Sequence, residues 1–436
     1  MIAPISSART VEQLEALLPM AELELSEQEL DRLSAAGGIE SAGMSTEEQA
    51  VPFGNYQYEI YLKGLAEKLP SIPIEYFKLE AAAKEKLPPE SFDYAAGGAG
   101  EGRSMDANRA AFLRWQILPR MLGDVSQRDL STQVCNTRLP APLMMGPVGV
   151  LSILHADAER AAARAAAATG VPMVLSGASS TSMEDVAQEL GETPGWYQLY
   201  WPNDPELAAS MVSRAEAAGY EAIVVTLDTR MMPWRPRDLQ GAYLPFLKGE
   251  GIANYTSDPV FRSKLDKPPE EDMQAAIQQW AMVFPNPTLD WDDLPTLREH
   301  TSLPILLKGV LHPDDARKAV DLGLDGLIVS NHGGRQIDGS VTPLDQLPSV
   351  LDEVGNEVPV LVDSGVRTGS DVLKAVALGA KAVLVARPWV WGLSLAGQEG
   401  VEQVLKSLLA DTDLTLAMTG LASVSDVTRD LLVPAP

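Results

Sequence analysis

One histidine of the four in this chain stands where its side chain could act on a ligand. His332 lies in SNHGGRQ (330–336), directly after a short apolar run, whereas His155, His300 and His312 sit where helices start or end. No two of them have metal-ligand spacing, so no metal is expected. The single cysteine, Cys135, leaves no disulfide framework or Cys-based zinc site. Other apolar runs also end in polar residues: Ser176, Gln198, Tyr200, Thr226, Asp228, Lys308, Asn331, Arg335, Asp363, Arg367 and Arg387. One such end could be a satisfied core group. A ring of them, rich in cations, is a site for a ligand that carries negative charge.

The elements that must hold this ring repeat along the chain. Short β-rich runs occupy 143–148, 172–176, 196–200, 222–228, 305–309, 326–331, 358–363 and 382–387. They are continuously apolar, as expected of parallel strands covered on both faces. Helical stretches such as 157–170, 204–219 and 313–323 lie between them. Eight strand–helix units predict a closed (β/α)₈ TIM barrel, whose function sits at the C-terminal ends of the strands. A doubly wound open sheet would ordinarily carry a GxGxxG turn after a strand, and none is present. One connection, 229–303, is too long for a simple crossover. It holds Trp234, Tyr255, Phe261, Trp280 and Phe284, which predicts a folded lid over the barrel mouth.

Residues 1–54 read as an N-terminal extension and linker, with short amphipathic helices over 10–18 and 26–38, and residues 55–436 as the barrel domain. The formal charge of −26 argues against nucleic-acid or anionic-lipid partners, so an anionic ligand must meet locally clustered Arg and Lys. The start of the chain lacks the basic and apolar stretches of a signal peptide, and no run reaches the length of a membrane span. A cytoplasmic protein is the expectation.

SNHGGRQ followed by DSGVRTGSDVLKAVALGAKAVLVARP (363–388) resembles the FMN-dependent 2-hydroxy-acid-oxidising family, which includes glycolate oxidase and lactate oxidase. The resemblance runs from about Asn55 to the C-terminus. It takes in FDYAAGGAG (92–100), PVGV (147–150), YQLY (197–200), VTLDT (225–229), WRPRDL (234–239) and LKG (307–309). NYQYEIYLKGL (55–65), WRPRDL and NYTSDPVF (254–261) look closest to the lactate 2-monooxygenase branch.

This resemblance implies FMN as cofactor, and a small 2-hydroxy acid and oxygen as reactants. It places the cofactor phosphate at Gly365, Arg367, Ala386 and Arg387, and the ribityl hydroxyls at Asp363. Pro147, Val148, Gly149, Ser176, Gln198, Thr226 and Lys308 then hold the isoalloxazine ring, with the Lys308 charge near N1. His332 matches the base, Asp228 the carboxylate that pairs with it, and Arg235 and Arg335 the substrate-carboxylate anchors. Tyr94 and Tyr200 match hydroxyl donors to the substrate. The resemblance also implies a homo-oligomer of four or more copies. Three departures bear on this: EGRS (101–104) replaces the usual acidic residue and threonine, Ala386 replaces a frequent glycine, and small Ala178 leaves substrate size open. A dehydrogenase passing electrons to a quinone or protein acceptor and a non-catalytic flavin-binding barrel are the rival readings.

Overall fold

Successive residues of a strand point to opposite faces, so a strand buried on both sides needs two apolar environments. The computed structural model describes residues 51–436, and in it both environments are filled. Eight parallel strands close a barrel in chain order: β1 (Leu143–Met145), β2 (Met173–Ser176), β3 (Gly195–Leu199), β4 (Ile223–Thr226), β5 (Ile305–Val310), β6 (Gly326–Val329), β7 (Val360–Val362) and β8 (Val383–Val385). Met144, Val174, Trp196, Val224, Leu306, Ile328, Leu361 and Leu384, one from each strand, share an inner cluster with Val134 and Leu139 of a small antiparallel hairpin. Their neighbours Leu143, Met173, Tyr197, Ile223, Ile305, Leu327, Val360 and Val383 belong to the cluster shared with the surrounding helices. Period-two alternation therefore explains why the runs read as continuously apolar.

The same alternation sets the next inward layer. Two residues beyond the apolar one on each strand stand Gly146, Ser176, Gln198, Thr226, Lys308, Ser330, Asp363 and Ala386. Five members of the polar ring, Ser176, Gln198, Thr226, Lys308 and Asp363, thus lie in the layer directly above the barrel's apolar filling.

Helices follow the strands as expected: Ala158–Thr169, Pro205–Ala217 and Pro313–Asp321 fall inside the anticipated stretches. Their starts are set by side-chain caps. Asp204 accepts from the Leu207 N–H, and His312 from the Asp314 N–H, which accounts for His312 at a helix entry. The helices expected over 10–18 and 26–38 lie outside the described residues.

The 229–303 insertion folds into short helical turns around one longer helix, Met273–Val283. Phe246 stacks on Trp280 with centroids 4.6 Å apart, and Trp280 packs on Phe284 at 5.0 Å. Trp234, expected among the packed aromatics, is instead 73% exposed. It lies on the short stretch before Pro236–Gln240, outside the Phe246–Trp280–Phe284 stack.

The loop after β6 is tied to residues 97–105. The Ala99 N–H donates to the Gly334 carbonyl at 3.0 Å, while the Glu101 and Ser104 N–H groups donate to the Asp338 carboxylate at 2.9 and 3.1 Å. Asp338 thereby caps helix Arg103–Leu113 from another loop, which Gly102 cannot do for itself. Gly334 has φ +76°, and a Cβ there would stand 2.7 Å from the Met105 nitrogen, so this approach requires glycine.

Trp280→Ala removes the centre of the insertion's aromatic stack, and large core truncations of this kind cost about 3–5 kcal/mol. Limited proteolysis should then cut within 229–303 at protease levels that leave the wild-type insertion intact, while the barrel resists.

Candidate active site

The floor of the site is the polar layer. Ser176 donates to Gln198 Oε1 at 3.1 Å across the β2–β3 register, and Lys308 donates to Ser330 Oγ at 2.9 Å across β5–β6. Lys308 Nζ also lies 3.1 Å from Asp363. Burial alone would lower the Lys308 pKa, but Asp363 and Asp228 outweigh it and hold it raised, so the ammonium is retained. Two buried atoms of this layer, Gln198 Nε2 and Thr226 Oγ1, have no partner among the described residues. Leaving such groups unpaired costs roughly 1–3 kcal/mol each, so they mark where a polar ligand edge belongs.

Above the floor opens a cleft whose unfilled space, its open mouth included, is about 1210 Å³. One end is formed by Gly365, Arg367, Ala386 and Arg387, at the loops after β7 and β8, where barrels commonly bind phosphate. Arg387 is the first residue of a helix that runs to a break at Ala396–Gly397, before a second helix continues to Met418, so the N-terminus of the first meets the cleft. Ala386 has φ −119°, a conformation open to alanine, so glycine is not required by the backbone at this place. Burial and the neighbouring Arg367 push the Arg387 pKa down to about 10. Burial likewise lowers Arg367, whose guanidinium stacks 4.2 Å from the Tyr76 ring centroid. Pro147, Val148 and Gly149 form a side wall.

At the other end stands His332, with φ +57°. Its Nδ1 is 2.8 Å from Asp228 Oδ1, and its Nε2 is 3.5 Å from the Tyr200 hydroxyl. Burial lowers the His332 pKa more than Asp228 raises it, so the imidazole is neutral near pH 7. Burial works to raise Asp228, but His332, Lys308 and Thr229 together hold it below the ordinary range. The neutral ring therefore carries its proton on Nδ1, donated to an ionised carboxylate, and leaves Nε2 as acceptor. Arg335 donates through one nitrogen to the Tyr94 and Gly97 carbonyls, at 2.7 Å each. Burial and Arg235 push its pKa down to about 9. Arg235, 8% exposed, donates to the Arg335 carbonyl and to Gln336. Burial raises the Tyr94 and Tyr200 pKa values, so both phenols stay protonated.

The cleft wall includes Tyr94, Pro147, Val148, Gly149, Tyr200, Arg235, Lys308, His332, Arg335, Asp363, Gly365, Arg367, Ala386 and Arg387, with Ala178 among them. Ser176, Gln198, Thr226 and Asp228 sit behind that wall rather than in it. Sequence reading overlooked Ser330, Ser364, Thr229, Met232 and Phe246, and placed Phe284 in the lid without a role at the cleft. Ser330 was accessible from the period of two. Ser364 has φ +74° and accepts from the Gly333 N–H, a relation between two loops that no local signal marks. Among the described residues no cluster of His, Cys, Asp or Glu is assembled for a metal, and no helix is long and apolar enough to cross a membrane.

Fold and site define a (β/α)₈-barrel enzyme whose cleft has an arginine-lined end and a histidine–aspartate pair. The FMN-dependent dehydrogenase family model matches residues 83–434. An FMN-dependent alpha-hydroxy acid dehydrogenase of Penicillium citrinum is 43% identical over 386 residues, covering 88% of this chain and 96% of the relative. An L-lactate oxidase of Lysinibacillus sphaericus is 41% identical, with 86% and 96% covered. The crystal structure of a mandelate oxidase superposes with a TM-score of 0.74 at 38% identity, covering 83% of this chain and 98% of that one. The chain belongs to the FMN-dependent 2-hydroxy-acid-oxidising family and is a flavin oxidoreductase. FMN fits the site: Gln198 Nε2 and Thr226 Oγ1, buried just behind the cleft wall without partners, suit a polar ring edge, and half-buried Arg367 and Arg387 on the wall suit a phosphate.

The denatured protein should release FMN and no FAD. Arg367→Met removes one charged partner, worth about 1.5–3 kcal/mol, and should weaken FMN binding roughly tenfold to a hundredfold in a fluorescence titration.

Proposed function

We propose that the protein oxidises a small L-2-hydroxy acid of lactate type with oxygen as acceptor, in the manner of a lactate 2-monooxygenase. The observation that carries the acid–base part is the His332–Asp228 pair at 2.8 Å beside buried Arg235 and half-buried Arg335. His332 Nε2 takes the proton of the substrate 2-hydroxyl, and Asp228 stabilises the resulting imidazolium. Arg335 and Arg235, which line the cleft with Arg335 Nη1 and Arg235 Nε and Nη2 held by protein acceptors, grip the substrate carboxylate through their remaining nitrogens. The Tyr94 and Tyr200 hydroxyls donate to the same substrate. FMN, when bound, would supply the two-electron acceptor, with oxygen as the terminal oxidant.

Oxidase and monooxygenase outcomes differ in how long the keto-acid stays in the cleft. Released early, lactate and oxygen give pyruvate and hydrogen peroxide. Retained, they give acetate, carbon dioxide and water. Phe246 and Phe284 of the folded insertion, with Met232, wall the cleft and favour retention. Ala178 and the relatives named as oxidases favour the oxidase reading instead. The proposal extends to a homo-oligomer of four or more copies, which a 46.8 kDa particle in light scattering would overturn.

Three measurements test this reading. His332→Gln should keep FMN and lose flavin reduction by about 10²-fold or more; reduction at the wild-type rate removes His332 as the base. The base must be unprotonated, so kcat/KM should fall as pH drops through a value below the ordinary 6.5. Asp228→Asn removes the stabilising charge and should move that limb to still lower pH. Aerobic turnover of L-lactate without catalase should give acetate; stoichiometric peroxide and pyruvate mean the oxidase outcome.

A further inference from the structure

We propose that Gln336 is a positioning residue that joins the substrate-carboxylate anchor to the acid–base pair, with Thr229 as the link. The inference rests on the reading of His332 as base and Arg235 as anchor, and deepens it.

One amide reaches both halves of the site. Gln336 Nε2 donates to the Asp228 carbonyl and to Thr229 Oγ1, each at 2.8 Å. Its Oε1 accepts from Arg235 Nη2 at 2.8 Å. Both neighbours of the NH₂ group are acceptors and the neighbour of the oxygen is a guanidinium, so only this orientation of the amide is satisfied. The Thr229 hydroxyl, its lone pair taken by Gln336, donates to Asp228 Oδ1 at 2.9 Å, the same oxygen that accepts from His332 Nδ1.

Asp228 depends on that relay because it has little else. Its Oδ2 is buried without any donor. That oxygen is backed by Gly309, with φ +106°, where a Cβ would stand 2.9 Å from Asp228 Cβ and 3.0 Å from Oδ2. The carboxylate thus fits a slot left by a missing side chain, and its rotation is fixed by two donors on Oδ1 alone. One is His332, the residue to be oriented. The other is Thr229, oriented by Gln336. A carboxylate held this way selects the Nδ1–H tautomer and keeps Nε2 free to accept a proton. At its other end the amide fixes Arg235, so substrate grip and base orientation share one side chain.

Gln336→Met and Thr229→Val, both uncharged and near in size, separate the roles in the FMN-loaded enzyme. Gln336→Met should lower kcat for flavin reduction roughly tenfold to a hundredfold and raise KM several-fold. Thr229→Val should lower kcat with KM within about twofold, and Thr229→Ser should restore it. The independent readout is the His332 tautomer, from ¹⁵N-histidine NMR without substrate, with the signal assigned by its loss in His332→Gln. The wild type should be wholly Nδ1–H above its titration midpoint, and Gln336→Met and Thr229→Val should be mixtures. Wild-type tautomer ratios in both overturn the proposal, whatever happens to stability. Should His332→Gln reduce flavin normally while the tautomers still shift, the catalytic reading falls and the positioning role stands.

Discussion

Five cations, Lys308, Arg235, Arg335, Arg367 and Arg387, converge on one cleft of a chain whose formal charge is −26. Burial penalises each of those whose pKa it shifts, and neighbouring guanidiniums penalise Arg335 and Arg387 further. Partial removal from water makes such crowding costly unless donors find acceptors. Carboxylates answer only part of this, through Asp228 and Asp363. Backbone carbonyls answer more: Tyr94 and Gly97 accept from Arg335, and Ala95, Gly97 and Gly333 accept from Arg387. The glycine-rich FDYAAGGAG stretch is therefore an acceptor surface, and its packing against the loop after β6 follows from that need. What positive charge remains is a demand for two anions, one at each end of the cleft.

Those ends are separated by the floor, and the floor inherits its geometry from the barrel. Inward side chains are apolar in one layer and polar in the next, so Ser176, Gln198, Thr226 and Lys308 are placed by strand register rather than by loops. A rigid floor suits a cofactor that must be held in one plane. His332, by contrast, stands on a loop in left-handed conformation, a geometry that costs of order 1–3 kcal/mol and persists only where its surroundings impose it. Here they do: Ser330 accepts from its N–H, Asp228 from its ring, and Asp338 fastens the loop to helix Arg103–Leu113. EGRS thus departs from the family pattern in residue type while its backbone N–H groups still do the fastening.

What the sequence determined by itself was whatever is local. Eight short, continuously apolar runs announced the strands, the longer stretches between them announced helices, and the polar residues ending seven of those runs announced the ring. Cofactor and family were legible because separated motifs keep their order, and FMN follows from that family. What only the tertiary structure decided is which loop meets which. Arg335 finds its acceptor 241 residues away at Tyr94, and Gln336 reaches Thr229 across 107. Trp234 turned outward while Phe246 and Phe284 turned to the cleft, although all three are aromatic residues of one insertion. A strand's pattern repeats every two residues because successive side chains point to opposite faces of the pleat, a property of the local backbone. A loop's partners lie on other loops, and they are fixed only when barrel closure brings the eight strand ends around one cleft.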